Sequence, residues 1–139
     1  MAKEVTIKLP GREDFDNAMV QVLKVFLDTE TKAKIYLYLR RHGKATADEI
    51  AKGAGLYPSS VREALVQMVD SKILKREKLE KRGIGKNPFI YEAIPAQELT
   101  KRQLKKVEEE LNKLFNLDNY LKERKEFSAG RVKITIEKK

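Results

Sequence analysis

Apolar residues recur at helical spacing through the first forty positions of the chain. From Asp14 to Leu27 they follow a 3.6-residue period over a wide face. A second periodic segment runs from about Thr29 to Arg41 and is closed by Gly43. The pattern predicts two amphipathic helices, and the first must be buried against the rest of the chain or against another subunit.

The pattern of residues 46–69 predicts two short helices joined by a tight turn. Thr46 and Glu49 have the spacing of a capping box, in which each side chain satisfies a free backbone N–H at the helix start. Gly55 stands where the first helix must stop, and Pro58 opens the second, where its missing N–H costs little. This order predicts a helix-turn-helix with a second helix over residues 58–70.

The second of these helices has two chemically different sides. Val61, Leu65, Met68 and Val69 form an apolar stripe. The opposite side carries hydrogen-bonding groups, short ones near the N-terminus and longer ones further on: Ser59, Ser60, Arg62, Glu63 and Gln67. Such an arrangement suits a helix that enters a major groove with its N-terminus first.

A basic hairpin follows. Residues 72–79 and 89–94 have strand-like alternation, and the segment between them contains two glycines, Asn and Pro. Residues 72–86 hold seven Lys and Arg against two Glu, which is +5 of the chain's formal +9. Lysines on edge strands can simply discourage sheet aggregation. That reason covers lysines along the strands but explains less well Lys81, Arg82 and Lys86 around the tip, where phosphate or minor-groove contacts fit better. The candidate DNA contacts of the hairpin are Lys75, Arg76, Lys78, Lys81, Arg82 and Lys86.

A long helix is predicted over residues 95–126. One narrow apolar stripe runs along it: Leu104, Val107, Leu111, Leu114, Leu117 and Leu121. The stripe is typical of a coiled-coil seam and indicates self-association, because the preceding domain is too small to cover its full length. The alternative is a helix that packs back on its own domain.

Two short strands are predicted near the ends of the chain, at residues 4–9 and 131–137. Both alternate apolar with polar residues, so each has one face to bury. We expect them to pair with each other, either within one chain or across a dimer.

Composition narrows the class of protein. The 139 residues suit a single domain over residues 1–139 and contain no cysteine and only one histidine, His42. No nucleophile–base pair or metal cluster can be assembled, so we expect neither an enzyme nor a cofactor or metal. The lack of an apolar span or signal segment favours a cytoplasmic protein that does not bind a membrane. The charged fraction of 37% suggests heat adaptation, and the +9 excess favours a polyanionic partner.

The stretch from Asp28 to Ile94 resembles archaeal winged helix-turn-helix regulators of the TrmB-like and MarR-like kind. The resemblance rests on TADEIAKGAGLYPSSVREALVQMVDSKILKRE, in which Ala51, Gly55 and the helix pattern match. It implies a mainly α fold with a small β component, in which residues 28–94 form the winged-helix core. The polar residues of the second helix then lie where the family reads base edges, and the wing over residues 75–88 lies where it meets the backbone or minor groove.

These observations predict a homodimeric, sequence-specific regulator of transcription that binds double-stranded DNA. Two alternatives remain open. One is a winged-helix subunit that binds another protein in a transcription or replication complex. The other is a nonspecific nucleic-acid-binding protein. The sequence also leaves open whether a small-molecule effector binds.

Overall fold

The computed structural model describes residues 12–79, 88–121 and 130–138 of the chain. These residues form two compact units, one ending at Ile94 and the other starting at Pro95. The sequence had suggested a single domain, and each unit is described below by itself. The predicted strand at residues 4–9 lies outside the described residues. Within the described ranges, no helix has the length and apolarity that crossing a membrane requires.

The first unit is a winged helix-turn-helix. Its described elements follow the chain as α1 (Arg12–Leu27), α2 (Glu30–His42), β1 (Ala45–Thr46), α3 (Ala47–Ala54), α4 (Pro58–Asp70), β2 (Leu74–Lys78) and β3 (Phe89–Ala93). The predicted helices and the two strands of the hairpin are confirmed, with their ends shifted by one or two residues.

The sheet has one strand more than expected. Its order is β1-β3-β2, and both pairs are antiparallel. In the hairpin, Leu74 is opposite Ala93 and Lys78 is opposite Phe89. The additional strand β1 has two residues, with Ala45 opposite Tyr91. Two residues are too short for an alternation pattern, so β1 could not be recognised from the sequence.

Local interactions explain why α3 and α4 begin and end where they do. The predicted capping box is present at the start of α3: the Glu49 N–H donates to the Thr46 hydroxyl, and the Thr46 N–H donates to the Glu49 carboxylate. Gly55 ends the helix in the left-handed conformation, with φ of 66°, which is inexpensive only for glycine. Pro58 occupies the first turn of α4 as predicted.

The core of the first unit is organised around α2. Its residues Ala33, Ile35, Tyr36 and Leu39 are buried, and α2 packs against α1, α3, α4 and β3. The Tyr36 hydroxyl donates a buried hydrogen bond of 2.7 Å to the Ile94 carbonyl, directly after β3. The apolar stripe of α4 completes this core, since Val61, Leu65 and Met68 have almost no exposed surface.

In the second unit, the long helix is shorter than the sequence predicted. Helix α5 (Ala96–Phe115) ends at Asn116, and a separate short helix, α6 (Leu117–Leu121), follows. The expectation of one continuous helix is therefore wrong at Asn116, and residues 122–126 lie outside the described residues. The side-chain amide of Asn116 donates both to the Asn112 carbonyl and to the Gly130 carbonyl. These bonds anchor the residue where the helix is interrupted.

The predicted strand at residues 131–137 is also wrong. Residues 130–138 take no regular secondary structure. Instead, their backbone binds side chains spaced one turn apart along α5: Asn116 with Gly130, Asn112 with Val132, and Glu108 with Ile134. The spacings match because four helical residues rise about 6 Å and two extended residues span about 6.6 Å. Alternate tail residues thereby bind to helix side chains rather than to a neighbouring strand.

The apolar stripe of the second unit is exposed for most of its length. Leu104 is half-buried, whereas Val107, Leu111, Leu114, Leu117 and Leu121 are exposed, with Leu114 at 66%. Leu117 and Leu121 belong to α6 and not to the same helix as the others. Val107 and Leu111 keep just over a third of their surface exposed, whereas Leu121 is 72% exposed.

Candidate nucleic-acid interface

Helix α4 presents a polar surface opposite its buried stripe. Ser59, Ser60, Arg62, Glu63 and Gln67 are all exposed, as the sequence predicted. The side chains of Arg62, Glu63 and Gln67 make no hydrogen bond or ion pair with the described residues. Their donors and acceptors therefore stay available to an external ligand.

The polar residues of α4 fall into two groups. Ser60, Glu63 and Gln67 line a groove of about 280 Å³ that lies between α4 and the start of α2. Thr31 and Lys32 line the α2 side of the same groove. Ser59 and Arg62 are not part of the groove lining. The exposed surface of α4 thus combines a concave polar edge with an open face.

The described cations of the hairpin lie on β2, whose alternation divides them between opposite faces of the sheet. Side chains alternate along a strand, so Arg76 and Lys78 share the face of the buried Leu74, while Lys75 lies on the other face. Lys75 is directly opposite Glu92 in the antiparallel pair. On the same face as Lys75, the Glu77 carboxylate lies 4.0 Å from the Lys44 ammonium.

This division leaves one face of the hairpin more positive than the other. Lys75 has acidic neighbours on its face, whereas Arg76 and Lys78 share theirs with aromatic and aliphatic residues. The guanidinium of Arg76 lies 4.4 Å from the centre of the Phe89 ring. A cation–π contact of this kind restrains the position of the guanidinium. The predicted site residues Lys81, Arg82 and Lys86 lie outside the described residues.

Sequence reasoning missed two apolar residues on the exposed side of α4. Tyr57, immediately before the helix, is 80% exposed, and Val66, in its third turn, is 55% exposed. Neither residue is polar, so neither belongs to the hydrogen-bonding pattern that marks this side of the helix. The available signal was that Val66 does not fall on the stripe of Val61, Leu65 and Met68.

Comparison with known proteins identifies the class of protein. The structure is similar to a possible transcriptional regulator from Methanosarcina mazei Go1, with a TM-score of 0.62 and 20% identity over 76% of this chain and 88% of that one. It is also similar to TrmBL2, described as an archaeal chromatin protein, with a TM-score of 0.64 and 16% identity. That match covers 78% of this chain and 39% of TrmBL2. The fold is therefore that of the winged-helix regulators.

A family model narrows the class further. Residues 27–97 match the model described as sugar-specific transcriptional regulator TrmB, and this segment covers about half of the chain. The chain belongs to the TrmB family of DNA-binding transcriptional regulators, which are not enzymes. No curated protein matches this chain.

The separation of the two sides of α4 predicts that its exposed residues contribute little to stability. Arg62→Ala should change the free energy of unfolding by less than about 0.5 kcal/mol, as is usual for an exposed side chain. Met68→Ala, on the buried side of the same helix, should cost about 2 to 5 kcal/mol. Denaturant unfolding of both variants measures the difference. A comparable loss in the two variants would give Arg62 a structural role.

Proposed function

We propose that this chain is a homodimeric, sequence-specific transcriptional regulator, with α4 in the major groove of duplex DNA and the hairpin on the backbone or minor groove. One observation carries the proposal. Helix α4 uses one face to complete the core and presents hydrogen-bonding side chains on the other. Membership of the TrmB family supports DNA as the ligand.

The residue types on α4 correspond to the donors and acceptors of major-groove base edges. Arg62 can donate two hydrogen bonds to guanine, and Gln67 can bind adenine through its amide. Glu63 can accept from the amino group of cytosine. Ser59 and Ser60, at the N-terminal end, can bind either bases or phosphates.

Affinity for the phosphates must come largely from outside α4. Within that helix, Arg62 is the only cation and is accompanied by Glu63 and Asp70. The hairpin supplies the missing positive charge, through Lys75, Arg76, Lys78, Lys81, Arg82 and Lys86. Among the described strand residues, Arg76 and Lys78 should dominate, because they lie opposite Tyr91 and Phe89, whereas Lys75 lies opposite Glu92. Base reading and phosphate attraction are therefore assigned to different elements.

The exposed stripe of the second unit supports a homodimer. A row of exposed Val and Leu side chains is costly in water and is stabilised when a second copy covers it. We assign this role to Leu104, Val107, Leu111, Leu114, Leu117 and Leu121. In a dimer with two-fold symmetry, two α4 helices would meet half-sites about 34 Å apart, which is one turn of DNA.

Selection from random duplex DNA at moderate salt, combined with the mass of the protein in solution, tests the proposal. We expect a dimer that enriches an inverted repeat. Strong binding without an enriched sequence would instead indicate a nonspecific nucleic-acid-binding protein. No binding at low salt, together with a monomer, would overturn the proposal and favour a winged-helix module that binds another protein.

Base contacts and phosphate contacts should respond differently to mutation. Arg62→Ala should relax the base preference at one position of each half-site and cost about 1 to 3 kcal/mol there. Lys78→Ala should weaken binding to all sequences equally and lower the slope of log K against log salt by about 1. Binding measured at several salt concentrations, on the selected site and on point variants, separates the two. Identical effects on base preference would contradict these assignments.

The proposed dimer interface can be tested by placing a charge in the apolar stripe. Leu111→Glu places a charge in the stripe and should convert the dimer to a monomer at micromolar concentration. Lys106→Glu is the matched control, because Lys106 is exposed on the opposite side of α5 and should leave the dimer intact. Sedimentation or light scattering measures both. If both variants form dimers as well as the wild type does, the interface does not include Leu111.

A further inference from the structure

Val66 has an unusual position on α4. At 100° per residue, it lies roughly 130° around the helix from the centre of the stripe formed by Val61, Leu65 and Met68, and 55% of its surface is exposed. It lies one turn after Arg62 and next to Glu63 on the helix surface. An apolar side chain thus lies within the face that we assign to base recognition, on its Arg62 side.

Local stability gives no reason for a valine at this position. Valine is β-branched and loses side-chain freedom in a helix, so its propensity is below that of Ala, Glu, Lys or Gln. Its exposed half obtains no packing energy from the described residues. The side chain is therefore better explained by an external partner than by the fold of the monomer.

The chemistry of the major groove limits what that partner can be. Base edges there carry nitrogen and oxygen donors and acceptors, and the one aliphatic group among them is the 5-methyl of thymine. A valine cannot form a hydrogen bond with its side chain, so the thymine methyl is the only base-edge group on which it gains apolar contact. The flanking Arg62 and Glu63 are long enough to reach polar groups on either side.

We propose that Val66 packs against the 5-methyl group of a thymine in each half-site and thereby specifies that base pair. The inference rests on the proposed function. One helical turn rises about 5.4 Å, and base pairs are stacked about 3.4 Å apart. The thymine therefore lies one or two base steps from the base that Arg62 reads.

Uracil substitution tests the contact directly, because uracil differs from thymine only in the missing methyl group. Each thymine of the selected site is replaced in turn by deoxyuridine, and the affinity of the wild-type chain and of Val66→Ala is measured. We expect one thymine per half-site at which wild-type affinity falls about fourfold, the effect of one buried methyl group. Val66→Ala should bind the thymine and uracil forms of that position equally.

Val25→Ala provides the matched control. Val25 is a more exposed valine, at 74%, and lies on α1, so its replacement should leave the thymine-to-uracil ratio as in the wild type. The melting temperature of Val66→Ala should be unchanged or slightly raised, because Ala is the better helix former. This readout distinguishes a lost contact from a destabilised helix.

The outcomes separate this inference from the proposed function. The Val66 contact alone is overturned if a sequence is enriched but no uracil substitution lowers the affinity of the wild type. It is also overturned if uracil lowers the affinity of the wild type and of Val66→Ala equally. A selection that enriches no sequence overturns both the contact and the sequence-specific regulator.

Discussion

The burial of helix α2 is the constraint on which the first unit depends. Its side chains Ala33, Ile35 and Leu39 have almost no exposed surface, and three other helices and β3 pack around it. The hydroxyl of Tyr36 satisfies the Ile94 carbonyl, fifty-eight residues along the chain. Because an unsatisfied buried carbonyl is costly, this bond fixes the end of β3 against α2. The hairpin is thereby attached to the same helix on which α4 packs.

A consequence of this packing is that recognition and stability are separated on α4. The helix buries Val61, Leu65 and Met68, so the side chains on its opposite face are not needed for folding and can be chosen for a ligand. Gly55 ends α3 in the left-handed conformation and so contributes to the direction of the turn between α3 and α4. The backbone conformation of the turn therefore helps to orient α4, while its exposed face carries the side chains that we propose contact DNA bases.

The second unit follows a different principle, because polar side chains organise it. Glu108, Asn112 and Asn116 bind the extended tail through its backbone, and the residue types along the tail are not specified by these bonds. Phe115 also lies close to Gly130, where an added Cβ atom would overlap its ring. Leu114 and Leu121 of the apolar stripe stay largely exposed beside these contacts, at 66% and 72%.

The sequence by itself determined the elements of the winged helix and the two sides of α4, because helix caps and apolar periodicity are local properties. It also identified the polar side chains of α4 as candidate base contacts. The features that depend on residues far away in the sequence became visible only in the tertiary structure. The two-residue strand β1 exists only through pairing with β3, and the tail binds α5 instead of forming a strand. Among the described residues, pairing in register placed Lys75 opposite Glu92, and it placed Arg76 and Lys78 opposite aromatic residues. Alternation within a single strand cannot reveal which charges a neighbouring strand will neutralise.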